Sequence, residues 1–222
     1  MKKNLLTTLL IVMLFYVQNS FSQSTEMTAP PIEKNRIVKV DFFSPATGNL
    51  TFAYEQALMN SVTLEGSLGV IGVSFIDDSY HPKGLFLKAG PKFYFTPDYT
   101  FDGMRRFNDF QGAYFQPEII YSGFGFDYDY YYSYQTTKQR GVNNSVALML
   151  NFGKQWVLAR ILTLDLYTGI GYGKSWQYLK DNTSGGTAVL DEDYMTYKYS
   201  HMEVPETPIA LSAGFKIGIL LK

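Results

Sequence analysis

The chain has 222 residues, 17% of them aromatic and 18% charged, with a formal net charge of −1 and no cysteine. That length suits one sizeable domain. The missing cysteine excludes disulfide frameworks, cysteine-ligated metals and a lipidated N-terminal cysteine, and no basic face points to nucleic acid.

The first element is a targeting segment. Lys2 and Lys3 precede an apolar run from Leu5 to Val17, and the small residues Ser20 and Ser22 follow. This pattern predicts a signal peptide over residues 1–22, cleaved after Ser22. The run is too short to span a bilayer as a helix, which takes roughly 20 apolar residues. Without Lys2 and Lys3 the mature chain keeps 17 basic residues against 20 acidic ones, a net charge of −3. Residues 23–34, polar and proline-bearing, read as a flexible periplasmic leader.

From residue 35 to residue 222 the chain alternates apolar and polar residues with period two, the signature of half-buried strands. Eight segments are predicted: 37–43, 50–58, 61–73, 85–95, 112–123, 145–152, 161–173 and 208–221. The sixth shows the pattern: Val146, Leu148, Leu150 and Phe152 oppose Ser145, Ala147, Met149 and Asn151. SPATGN after the first segment is a turn. The run FGFDYDYYYSY (124–134) and the residues to 144 read as one loop, and 174–206 as another.

An even number of long alternating strands predicts an all-β fold: an eight-stranded antiparallel up-and-down transmembrane β-barrel. Alternation alone also fits a soluble ligand-binding β-barrel with its apolar face inside. Three features favour the apolar face outside. The polar face is rich in Gly, Ala, Ser and Thr, where a wetted surface would carry more long charged side chains. Its charges nearly balance, with Lys39, Lys88, Lys92 and Lys216 against Asp41, Glu55, Glu65, Glu118 and Asp165. That suits an ion-pair network in a lumen that eight strands leave filled with side chains, not an open pore. Finally, Tyr54, Phe93, Phe95, Tyr121, Phe124, Phe126, Phe152 and Tyr172 gather near strand ends, as in an aromatic girdle. With the first strand starting in the periplasm, connections 44–49, 74–84, 124–144 and 174–206 face outside. Those near 59–60, 96–111 and 153–160 face the periplasm.

The mature chain resembles small bacterial outer-membrane β-barrel proteins of the eight-stranded OmpA/OmpX-like group. The likeness rests on VKVDFFSPATGNLTFAYEQALMNSVTLEGSLGV and on GKQWVLARILTLDLYTGIGYG, which is similar to a later hairpin of that group. The resemblance implies the outer membrane of a Gram-negative cell, with outer-membrane lipid and the barrel assembly machinery as partners. The chain ends GILLK where such proteins carry an aromatic residue.

Motifs for chemistry are sparse. TGIGYGKS (168–175) misses the phosphate-loop pattern because Thr168 stands where the first glycine is required, and it alternates as a strand. His81, near Asp77 and Asp78, and His201, near Glu203, lie in predicted outer loops without nucleophile or metal-ligand spacing. The expectation is therefore a non-enzymatic protein with no catalytic, cofactor or metal site. It would act through its outer loops, with Tyr128, Tyr130, Tyr131, Tyr132 and Tyr134 as a candidate recognition surface. An outer-membrane enzyme acting at the barrel rim is the alternative.

Overall fold

The structure is a computed structural model that describes residues 35–59, 61–74, 80–95, 109–132, 135–179, 187–189 and 196–221. The expected signal peptide and leader lie outside the described residues. Seven strands follow in order: β1 (Arg36–Asp41), β2 (Asn49–Met59), β3 (Val62–Ile71), β4 (Lys83–Tyr94), β5 (Gly112–Tyr132), β6 (Gln135–Leu158) and β7 (Leu162–Tyr178). The short β8 (Thr187–Val189) and β9 (Met202–Glu203) precede β10 (Ile209–Leu221). Each of β1 to β7 pairs antiparallel with the next, β7 pairs with β10, and β10 returns to β1. The result is a closed eight-stranded antiparallel up-and-down barrel, as the alternation predicts. Closure leaves no bare sheet edge along the paired lengths.

The two faces fall as predicted. On β6, Leu148 is 60% exposed while Ser145 and Asn151 are fully buried. The apolar rows point out, so the soluble barrel with an apolar interior is not the architecture found. The end carrying the first and last strand termini is here termed the base, and the opposite end the mouth.

At the mouth, β1 runs into a 3₁₀ turn, Ser44–Thr47, with Pro45 at its start. Gly48 ends it in the left-handed region at φ 86°. A side chain at Gly48 would be strained there and would also crowd the Tyr199 ring. At the base, Ser61 (φ 68°) and the pair Ala159 and Arg160 (φ 49° and 59°) make the turns. β4 and β5 lose their regular pairing between Ala89 and Phe93, where Pro91 and Pro117 sit without backbone N–H groups.

The fifth and sixth strands are far longer than expected. Residues 124–132 and 135–144, read as a loop, continue β5 and β6 as a paired hairpin. Tyr and Phe favour extended backbone on a pleated surface. The run also keeps strict alternation, with rings at Phe124, Phe126 and Tyr128 against Gly125, Asp127 and Asp129. Beyond the end of β4, β8 takes over the free edge of β5 through the pairs Asp129 with Val189 and Tyr131 with Thr187. Likewise 153–158 extends β6 and 174–178 extends β7. TGIGYGKS therefore lies within strand β7, with no phosphate-loop geometry.

Polarity inverts along this hairpin. Outward on β5, Phe115, Ile119 and Tyr121 give way to Asp127 and Asp129. Opposite them on β6 stand Arg140 and Lys138, in register with Asp127 and Asp129. Inward, Gln116, Glu118 and Ser122 give way to Phe124, Phe126 and Tyr128, all buried. Phe124 and Phe126 thus fill the interior and are not part of an outer girdle. Tyr54, Phe95, Tyr121, Phe152 and Tyr172 do point outward and are exposed, and half-buried Phe93 stacks on Phe115 at 4.8 Å.

Candidate functional site

The base half of the lumen holds a cluster of six charges, one from each of six strands. Lys39 (β1) lies 2.5 Å from Glu55 (β2), 2.7 Å from Glu65 (β3) and 2.8 Å from Asp165 (β7). Lys92 (β4) lies 2.8 Å from Glu65 and 2.6 Å from Asp165. Lys216 (β10) lies 2.5 Å from Glu65. Three cations therefore face three anions, and their side chains are almost wholly buried. Glu55 and Glu65 are direct cross-strand neighbours, a like-charge placement that costs stability alone. Lys39 and Lys92 between them reverse its sign.

Neutral groups complete the cluster. The Tyr114 hydroxyl donates to Asp165 at 2.6 Å, and those of Tyr94 and Thr63 donate to Glu55 at 2.8 and 2.5 Å. Lys39 also donates to Gln155 at 2.6 Å, and Gln155 donates to the Phe110 carbonyl at 2.9 Å. Phe110 is fully buried against Ile37 and Leu220. A buried, balanced network of this kind ties together the strands that supply its members.

Three residues expected in that network make no close ion pair with it, although Asp41 stands in register with its Lys216. Glu118 accepts from Asn151 at 3.0 Å, which together with Ser212 forms a separate polar layer. Lys88 donates to the Ser200 carbonyl at 2.8 Å. Asp41, at the mouth end of β1, accepts from the Phe43 N–H at 3.2 Å.

The mouth half is closed differently. Phe86, Phe124, Phe126 and Tyr128 pack with Ile71 into an aromatic cluster that also takes in Tyr199. Tyr199 belongs to a strap, residues 197–203, that folds back into the barrel. Three lumen side chains grip three successive strap carbonyls. Ser122 donates to Lys198, Asn49 to Tyr199 and Lys88 to Ser200, at 3.1, 3.2 and 2.8 Å. Tyr199 has φ 61° and stands edge-on to Phe124 at 5.0 Å. Its awkward backbone is held by these contacts.

His201, expected in an outer loop, is therefore buried. Its Nδ1 lies 2.9 Å from the Ser200 hydroxyl, its Nε2 lies 3.3 Å from Glu203, and Ser175 on β7 donates to Glu203 at 2.7 Å. No serine–histidine–acid arrangement is expected from the spacing, yet the fold assembles one from three residues within four positions. Burial pushes the Glu203 carboxyl up, but the bonds from His201 and Ser175 outweigh it and hold it below the usual glutamate range. Burial also lowers the Lys198 ammonium, and Glu203 offsets only part of that. His81 is exposed, 3.7 Å from Asp127; Asp77 and Asp78 lie outside the described residues. Among the described residues no cluster of His, Asp and Glu could hold a metal ion.

The expected tyrosine surface is also corrected in part. Tyr128 is buried, and its hydroxyl donates to Gln139 at 3.0 Å. Tyr130, Tyr131 and Tyr132 lie in the projecting part of β5, while Tyr134 falls outside the described residues. The strap was missed because a loop that re-enters a barrel carries no periodicity. The inward placement of Phe124 was legible by counting parity from Gln116, Glu118 and Ser122.

No family model and no curated protein matches the chain. Among solved structures it is similar to the N-terminal β-barrel domain of Pseudomonas aeruginosa OprF, with 9% identity and a TM-score of 0.32 over 84% of this chain and 96% of that chain.

Proposed function

We propose that the protein is an outer-membrane β-barrel without enzymatic activity, closed to solutes, that acts through what it presents beyond the mouth. The observation that carries the membrane reading is the bounded apolar band on β6. From Val142 to Phe152 its outward residues are apolar except Asn144, and Arg140 and Lys154 flank them. Those eleven residues match the roughly 9–11 that a tilted strand needs to cross a bilayer. The polarity inversion on β5 marks the same upper boundary. Above it the hairpin has charges outside and rings inside, as a water-soluble sheet does. In this reading outer-membrane lipid surrounds the band, and the barrel assembly machinery inserts the chain.

A detergent gel of isolated outer membranes tests it. The band should migrate differently before and after boiling, and the refolded protein should add no conductance to a planar bilayer. A protein recovered soluble in the periplasm with no boiling shift would overturn the membrane reading. Steady conductance would overturn the closed lumen.

A rim hydrolase is the second reading, favoured by the Ser200, His201 and Glu203 contacts, whose residue types match an acyl-transfer triad. It requires hydrolysis of ester lipids that both Ser200→Ala and His201→Ala abolish in a correctly folded barrel. Two features favour the structural role: the chain through Ser175 ties the strap to β7, and Ser200 is buried.

A further inference from the structure

The outer wall carries a groove at the upper edge of the apolar band. In register across four strands stand Lys83 (β4), Gly125 (β5), Val142 (β6) and Tyr178 (β7). Two residues nearer the base the row reads Leu85, Gly123, Asn144 and Trp176. These positions share the outward parity, and Trp176 and Tyr178 are exposed. Tryptophan and tyrosine at one height mark the level of lipid headgroups. Gly123 and Gly125 place no side chain between their neighbours, so the wall is sunk there. A cavity of 400 Å³ results, with Lys83, Leu85, Tyr121, Val142 and Asn144 around the two glycines. Its size falls within the roughly 300–1,000 Å³ of small-molecule sites.

Three donors meet at this groove. Lys83 lines it and is exposed. The Arg140 guanidinium reaches down from above, and a Cβ at Gly125 would meet its Nε at 3.1 Å. Asn144 is the one polar outward residue of the β6 band. Its Oδ1 accepts from the Tyr121 hydroxyl at 3.4 Å, which leaves its amide N–H groups without a protein acceptor among the described residues. Such donors at the edge of hydrocarbon are costly unless something accepts from them. No acidic residue lines the groove. The next outward residue on β5 is Asp127, in register with Arg140, but its carboxylate lies 3.7 Å from His81. Among the described residues neither Lys83 nor Arg140 makes an ion pair. Two cations beside one carboxylate leave this end of the groove net positive. Below it Leu85 and Leu87, both more than half exposed, form an apolar track.

We infer that the groove binds a membrane lipid whose head carries a phosphate. The phosphate oxygens would accept from Lys83, Arg140 and the Asn144 amide, and one acyl chain would descend past Gly123 along Leu85 and Leu87. Charge-assisted bonds from lysine and arginine are the strong way to hold phosphate. A lipid fits better than a free phosphate because the donors sit at headgroup height directly above the apolar track. This rests on the membrane reading above.

The test places the full mature chain in phosphatidylcholine nanodiscs containing a minor share of phosphatidic acid. Native mass spectrometry then reads which lipid stays on the barrel, and phosphatidic acid should be retained in preference. Lys83→Met and Arg140→Met should each lower that preference about fivefold, the scale of one basic residue at a lipid surface. Asn144→Leu should lower it too, with the boiling shift unchanged. Gly125→Leu fills the floor of the groove, removes no charge and should abolish the preference. Lys174→Met, an exposed lysine of β7 outside the groove, should leave it unchanged. A loss as large for Lys174→Met as for Lys83→Met would mean diffuse attraction to the surface and overturn the site. Displacement of the lipid by glycerol phosphate would assign the groove to a free phosphate and overturn the lipid. Equal retention of both lipids by a barrel that shows the boiling shift would overturn the site alone. Absence of the boiling shift in the unaltered chain would remove the membrane reading, and the site with it.

Discussion

In the base half of the lumen, six strands each contribute one charged side chain, and the charges satisfy each other. In the mouth half, β3 contributes Ile71, β4 and β5 contribute rings, and Tyr199 comes from a strap about 75 residues further along the chain than Phe124. The base cluster is made wholly by strand residues at inward parity, so closing the barrel assembles it. The mouth plug needs a connection to re-enter and be caught by Ser122, Asn49 and Lys88. The first arrangement can come apart only with the barrel, whereas the second can loosen while the barrel stands. Local stabilities of this kind range from near zero to the global value.

The sharpest way to break that comparison is at Asp165. Asp165→Ala leaves Lys39 and Lys92 facing each other with one anion fewer, which should cost about 3–5 kcal/mol. The urea midpoint of the refolded barrel measures it. A loss below about 1 kcal/mol, the scale of an ordinary hydrogen bond, would mean the cluster is not the base's main fastening.

Leu148→Arg probes the wall that both halves share. On a bilayer-facing strand it should cost roughly 2–4 kcal/mol and depress assembly in isolated membranes. Tolerance of arginine there, with intolerance of leucine at Ser145, would mean that the apolar face does not meet lipid.

Asn49→Ala addresses the mouth alone. It removes the bond to the Tyr199 carbonyl and should cost about 1–3 kcal/mol in local opening. Hydrogen exchange of residues 197–203 should speed up while the boiling shift of the barrel stays unchanged. If the whole barrel unfolds earlier by the same amount, the strap is not a separate unit.

The smallest effect is that of pH on the strap. Glu203 is held below its ordinary value of 4.5 in the folded state. Its contribution is therefore fully present above pH 4.5 and is lost as pH falls through the folded value. Strap exchange should accelerate on acidification through that range, and Glu203→Gln should remove the pH dependence. An unchanged profile in the variant would assign the effect to another group.

The legibility of the molecule follows the same division. Val38, Leu148 and Ile219 announce an outward row, and Lys39, Glu65 and Asp165 an inward one, because side-chain direction in a strand has period two regardless of what surrounds it. The same counting runs through Phe124, Phe126 and Tyr128, and composition misled there: many rings in a row suggested a loop where parity placed them inside. The place of Glu118, Lys88 and Asp41 outside the six-charge cluster was not legible, since parity gives the face but not the height in the barrel.

The sequence by itself determined the barrel, the number of its strands and the sign of each face. The first two follow from a local property, the alternation of each strand, and from the cost of leaving a strand edge unpaired; the sign follows from the small residues and balanced charges of the polar row. Tertiary structure alone decided how high each charge sits, that β1 stops at Asp41 and gives way to the 3₁₀ turn, and that Ser200, His201 and Glu203 come to lie beneath the mouth. These depend on the stagger between strands and on where a connection without periodicity finds hydrogen-bond partners, and neither is written in the order of residues along one strand.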